Sequence, residues 1–214
     1  MSNSDNLIDK TCVMLTLQDQ MNSQVDRDWR QREREWYRAI WIECAELMDH
    51  YGGWKWWKHS TPDMPQVILE IVDIWHFGLS MRLEQGRDNK ALAQTIVQEW
   101  QTPPTALTFL AEVERLASHA LTEQVFSVGS VANLLHACDA EFDDLYRNYV
   151  AKNVLNLFRQ KHGYKTGSYQ KIWHGREDNE VLAELLHSLD ADQADFPQAI
   201  DAALESHYAG VTGA

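Results

Sequence analysis

Ile42-Glu43-Cys44-Ala45-Glu46 and Leu69-Glu70-Ile71-Val72-Asp73 decide the fold. Each stretch holds two carboxylates at i, i+3, so on a helix both side chains leave from one face. Each also lies in an apolar run: Ala39-Ile40-Trp41-Ile42 ahead of the first, Val67-Ile68-Leu69 and Ile74-Trp75 around the second. A lone Glu-x-x-Glu usually marks a solvated helix face. Two such pairs, both inside apolar helical pattern and joined by a short link, call for another account. Carboxylates on the inward side of a helix are costly to desolvate, and four facing one another repel. A hard divalent cation held by oxygen ligands resolves the conflict, as where facing helices of a bundle project carboxylates inward.

Helical periodicity continues on both sides. Leu7 to Met21 fits a helix, with Gln18 and Asn22 four apart on one face. Two amides there are either polar surface or a reader of a nucleobase edge, since each offers a donor and an acceptor. The spacing predicts a helix from Arg30 to Tyr51, stopped by Gly52-Gly53. The run Trp54-Lys55-Trp56-Trp57-Lys58-His59 suits core or interface packing, or the wall of a small-molecule pocket with a lysine near phosphate. Pro62 and Pro65 bracket a turn into a helix reaching about Leu83, apolar nearly all round and therefore central. Gly86-Arg87-Asp88-Asn89 reads as a turn.

Residues 90–140 read as two or three helices, broken at Pro103-Pro104 and near Gly129, with a stripe of Leu107, Phe109, Leu110, Val113 and Leu116. They form an accessory lobe. Asp143 to Gln160 is a further helix, on which Lys152, Asn156 and Arg159 share a face. That stripe is either solvated or an anion clamp, with lysine as a point charge and arginine as a two-pronged phosphate ligand. The loop Lys161 to Lys171 combines two glycines, two tyrosines and three lysines, a composition able to wrap a polyphosphate. Glu177-Asp178-Asn179 opens a helix through Val181, Leu182, Leu185 and Leu186. From Asp190 the acidic tail reads as one weak helix and a frayed end. No strand alternation and no internal repeat is found. The expectation is an all-α single domain over 1–214, with core helices at about 7–85 and 141–188 and a smaller helical cap lobe at about 90–140.

Composition narrows the function. The formal net charge of −13 argues against nonspecific binding to nucleic acid or to acidic membranes, yet leaves room for a small anion held by local basic groups. Hydrophobic residues make up 44% of the chain, enough for a core. Cys12, Cys44 and Cys138 are far apart and suggest neither a disulfide framework nor a zinc site. The start, Met1-Ser2-Asn3-Ser4-Asp5, has no basic then apolar segment, and no apolar run is long enough to span a bilayer. A cytoplasmic location is expected.

Several blocks together resemble the dimeric, all-helical dUTPases: Glu43-Cys44-Ala45-Glu46, Trp54-Lys55-Trp56-Trp57-Lys58, Glu70 to Phe77, Lys152 to Arg159, Gly163 to Trp173, and Glu177-Asp178-Asn179. They span roughly residues 12–180 in the family's order. The acidic pairs alone would indicate only the wider all-α NTP pyrophosphatase superfamily; the C-terminal blocks point to dUTPase. The resemblance implies hydrolysis of dUTP, and of dUDP, to dUMP with two or more Mg²⁺ per site, attack at the β-phosphorus, and a homodimer. It implies Glu43, Glu46, Glu70 and Asp73 as metal ligands; on chemical grounds one of these carboxylates can also take a proton from water, Glu43 being the first candidate and Glu46 the other, which spacing does not separate. Gln18 and Asn22 match the uracil-reading amides, Trp54 and Phe77 apolar walls, and His76 a position beside the deoxyribose. Lys58 falls in the lysine-aromatic wall. Lys152, Asn156, Arg159, Tyr164, Lys171 and Asn179 match positions that bind the phosphates and close over them. Two rivals stand beside this reading: a related pyrophosphatase preferring dCTP or several dNTPs, and a nucleotide-binding regulator of a protein partner.

Overall fold

The structure is a computed structural model that describes residues 3–84, 86, 88–102, 106–191, 193 and 195–212, without the side chains of residues 3 and 210–212. The expected break at Pro103-Pro104 and Arg87 of the expected turn lie outside the described residues. Among those described the chain is all-α apart from one small hairpin. It divides into two compact units, 1–148 and 149–214.

The first unit holds α1 (Asn3–Val25), α2 (Trp36–Tyr51), α3 (Met64–Leu83), α4 (Asn89–Trp100), α5 (Phe109–Thr122), α6 (Val128–His136) and the start of α7 (Phe142–Lys161). Helix α3 is central, as its all-round apolarity requires: it packs on α1, α2 and α6. The Asp63 carboxylate caps it by accepting from the Gln66 amide, and Pro65 sits in its first turn. Fully buried Trp75 meets Trp100 edge-on at 5.9 Å and Phe126 at 5.6 Å. Gly78 makes the second contact possible, because a Cβ there would overlap the Phe126 ring. The residues expected to form an accessory lobe, α4 to α6, belong wholly to this unit, with α5 against α2 and α4 against α1.

The helix expected from Arg30 begins instead at Trp36. Trp29–Gln31 forms a 3₁₀ turn and Glu33 takes a φ of 47°. Arg32 Nε and Arg34 Nη2 both reach back to Asp26 Oδ2, at 2.8 and 2.9 Å, so the charged opening closes a turn rather than starting a helix. At the other end the Asp63 amide donates to the His50 carbonyl at 3.0 Å, which makes α2 and α3 a hairpin.

The second unit contains the remainder of α7, β1 (Ile172–Trp173), β2 (Arg176–Glu177), α8 (Asp178–Leu186) and α9 (Phe196–Thr212). The strands pair antiparallel, Ile172 with Glu177 and Trp173 with Arg176. Between them His174 and Gly175 both have positive φ, the mirror-image turn that suits a two-residue hairpin. Strands of two residues show no alternation to read, which is why the sequence hides them. The tail is also firmer than its acidity suggests. Phe196, Ile200, Leu204 and Tyr208 recur every fourth residue and are all buried, so α9 is an amphipathic core helix. Tyr208 joins Phe158, Tyr169 and Trp173 in an aromatic cluster.

Candidate active site

The α2–α3 hairpin sets the two acidic pairs against each other. Carboxylate oxygens of Glu43, Glu46 and Glu70 all lie within 4.8 Å of one another. Asp73, one turn along α3 from Glu70, does not join the three at that distance, but its charge is the strongest charged influence on both Glu43 and Glu70. Glu70 is 8% exposed. Burial first, then Asp73 and the other carboxylates, push the Glu43 carboxyl up to about 8. The same causes raise Glu70, burial first and Asp73 next. His50 was not anticipated: its Nε2 lies 3.5 Å from Glu70 Oε1. Its place at i+4 from Glu46 was the available signal.

The donor set suits a hard cation. All three converging atoms are oxygens, and among the described residues no lysine or arginine pairs with Glu43, Glu46 or Glu70. Cys44, between the two α2 carboxylates in sequence, is buried, which pushes its thiol up to about 12, and its sulfur does not join the three converging oxygens.

Gln18 and Asn22 are not polar surface; they are buried, at 4% and 8% exposure. Gln18 Nε2 donates to Asn22 Oδ1 and to Ser80 Oγ, both at 3.0 Å, and Asn22 Nδ2 donates to Ser80 Oγ at 2.9 Å. Gln18 Oε1 lies 2.8 Å from His76 Nδ1. With the Gln18 amide nitrogen committed elsewhere, its oxygen is the acceptor and Nδ1 carries the proton, an assignment made from the network. Thus α1 and α3 hold three expected site residues in one hydrogen-bonded group around Ser80. Phe77 is half-buried beside Trp36, with ring centroids 6.3 Å apart. The Trp-Lys run stands out from the surface rather than entering a core: Trp56 is 88% exposed, Trp57 61% and Trp54 39%. Trp54 Nε1 donates to Asp49 Oδ1 at 3.2 Å, and Lys58 is exposed.

In the second unit Lys152 is buried, and Arg159 is held by its neighbours. Arg159 Nε and Nη2 donate to the two oxygens of Asp178, both at 2.8 Å. Its Nη1 donates to Asn156 Oδ1 at 3.1 Å and Nη2 to Asn179 Oδ1 at 3.3 Å. The half-exposed Tyr164 ring lies 5.9 Å from the guanidinium. Lys171 Nζ is 3.0 Å from Glu177 Oε2. Asp178 and Tyr169 had no assigned role; in sequence Asp178 looked only like part of an acidic helix opening.

The chain is thus all-α, with a helical hairpin whose three gathered carboxylates are a donor set that could hold a hard cation. The family model for dUTPase matches residues 10–164, and the chain belongs to that family, whose activity is that of a dUTP diphosphatase, a hydrolase. No curated protein matches the chain. The matched span includes both acidic pairs and all of α7 and ends inside the glycine loop.

Proposed function

We propose that the chain hydrolyses dUTP to dUMP and pyrophosphate, and dUDP to dUMP and phosphate, in a Mg²⁺-dependent reaction. The convergence of Glu43, Glu46 and Glu70, with Asp73 adding its charge, supports this most directly. Those four carboxylates would hold the ions, two or more per site. Bound there, Mg²⁺ supplies the positive charge that draws phosphate oxygens and makes a water more acidic. Glu43, once bound cations free it of its own proton, is the first candidate to take the proton of the attacking water, with Glu46 the alternative. Gln18 and Asn22 read the base, His76 packs beside the deoxyribose, and Trp54, Lys58 and Phe77 belong to the nucleoside wall. Lys152, Asn156, Arg159, Tyr164, Lys171 and Asn179 bind the phosphates and offset charge developing on their oxygens. A homodimer and a cytoplasmic location complete the reading. The net charge of −13 favours neither nucleic acid nor an acidic membrane as partner.

Product release measured across dUTP, dUDP, dCTP and the other dNTPs, with and without Mg²⁺, tests the proposal. Turnover of dUTP and dUDP that stops in EDTA is the expected result. Preference for dCTP would move the reading to the related pyrophosphatases. Nucleotide binding without turnover would favour the regulator.

A further inference from the structure

Arg159 presents two edges for hydrogen bonding, and the structure treats them differently. The side edge, Nε with Nη2, is taken bidentately by Asp178, which is fully buried. The end edge, Nη1 with Nη2, faces the side-chain oxygens of Asn156 and Asn179. These acceptors are neutral and replaceable: either amide can rotate to offer its NH₂ group instead. Asp178 is itself fixed from other directions. Its Oδ2 accepts from the Tyr169 hydroxyl at 2.7 Å, and its backbone amide donates to the Lys171 carbonyl at 3.0 Å. Tyr169 stacks on Tyr208 of α9, with centroids 5.4 Å apart at 23°, and the Gln170 amide donates to the Tyr208 hydroxyl at 3.2 Å. Burial and the Asp178 charge raise the Tyr169 hydroxyl well above its ordinary range, so it remains a donor.

We propose that Asp178 is the positioning residue of Arg159. By occupying the side edge it turns the end edge toward the phosphates, whose oxygens take the places now held by the Asn156 and Asn179 amide oxygens. Tyr169 ties this setting to the glycine loop, with α9 as its support. The arginine then still binds an anion with two prongs, but only through its end edge, and as half of a neutralised pair. This rests on the reading of Arg159 as a phosphate ligand.

A double-mutant cycle tests it, read by calorimetric affinity for α,β-imido-dUTP and for deoxyuridine in Mg²⁺, with circular dichroism to confirm folding. D178N is expected to weaken the triphosphate analogue by roughly tenfold or more, the scale of a charge-assisted hydrogen bond, and to leave deoxyuridine affinity unchanged. In an R159A background D178N should add little, since it acts through the arginine. Y169F, which removes one hydroxyl and no charge, should show the same pattern at smaller size and serves if D178N does not fold. An equal loss from D178N or Y169F with and without Arg159 overturns the positioning role while leaving Arg159 as a phosphate ligand. Unchanged analogue affinity in R159A itself overturns both.

Discussion

Glu70 is the most enclosed of the three converging carboxylates. It is nearly buried, it faces Glu43 and Glu46, and its one basic neighbour among the described residues is a histidine. Glu70→Ala is expected to lower Mg²⁺-dependent turnover by about a hundredfold or more, because it would loosen the cation that offsets transition-state charge. The EDTA-treated variant should melt no lower than the unaltered chain, because repulsion has been relieved; a large fall in melting temperature would assign Glu70 a structural role instead. The pH dependence follows from Glu43. Its carboxyl titrates at about 8 in the folded chain against an ordinary 4.5. Between those values the folded chain keeps a proton that the unfolded chain has released, so this group's contribution to stability is complete below 4.5 and is lost as pH rises through about 8. Thermal melts in EDTA should therefore fall across that window, and Mg²⁺ should flatten the fall. Equal slopes with and without the ion would count against cation binding at these residues. At this scale the i, i+3 carboxylates and i, i+4 amides were legible, because helical spacing alone puts them on a face. Ser80 was not, since a lone serine in an apolar helix gives no sign of gathering two amides.

Among the elements, the α2–α3 hairpin was readable because apolar period, glycine stop and proline start agree. Two elements were misjudged for different physical reasons. The arginine-rich start of α2 has helical composition, but its side chains pair with Asp26 and Glu33 leaves the helical region. The last helix looked weak because acidic residues crowd it, while its every-fourth-residue apolar stripe is what packs. Helix α3 yields a sharper expectation. Gly78→Ala sets a methyl group against the buried Phe126 ring, which an already filled core resists at a cost of roughly 1–3 kcal/mol. Denaturant titration of the variant measures that loss. Unchanged stability would mean that the Trp75–Phe126 region has room to yield.

At the scale of the whole molecule, the sequence conveyed that the chain is helical and acidic but not where it divides. The expectation, drawn from helical pattern and its breaks, was a single domain with a cap lobe at about 90–140; the compact units part at 148/149, within the span of α7. A continuous helix carries no linker signature, so such a division leaves no mark in the residues. Oligomeric state is equally hidden in one chain. If the proposed homodimer forms, light scattering should give twice the 24.8 kDa of the chain. A monomer at working concentration would remove dimerisation from the proposal.

The uneven placement of the indole side chains has a practical consequence. Trp29, Trp75 and Trp173 are sealed from solvent, while Trp56 and Trp57 stand in it and Trp54 is partly open. Emission should therefore separate into a blue component that acrylamide scarcely quenches and a red component that it quenches readily. Lys55 and Lys58 flank the outer rings, so iodide should reach them despite the protein's negative charge. A nucleotide seated against Trp54 would shrink the quenchable fraction, which gives an optical titration without any label.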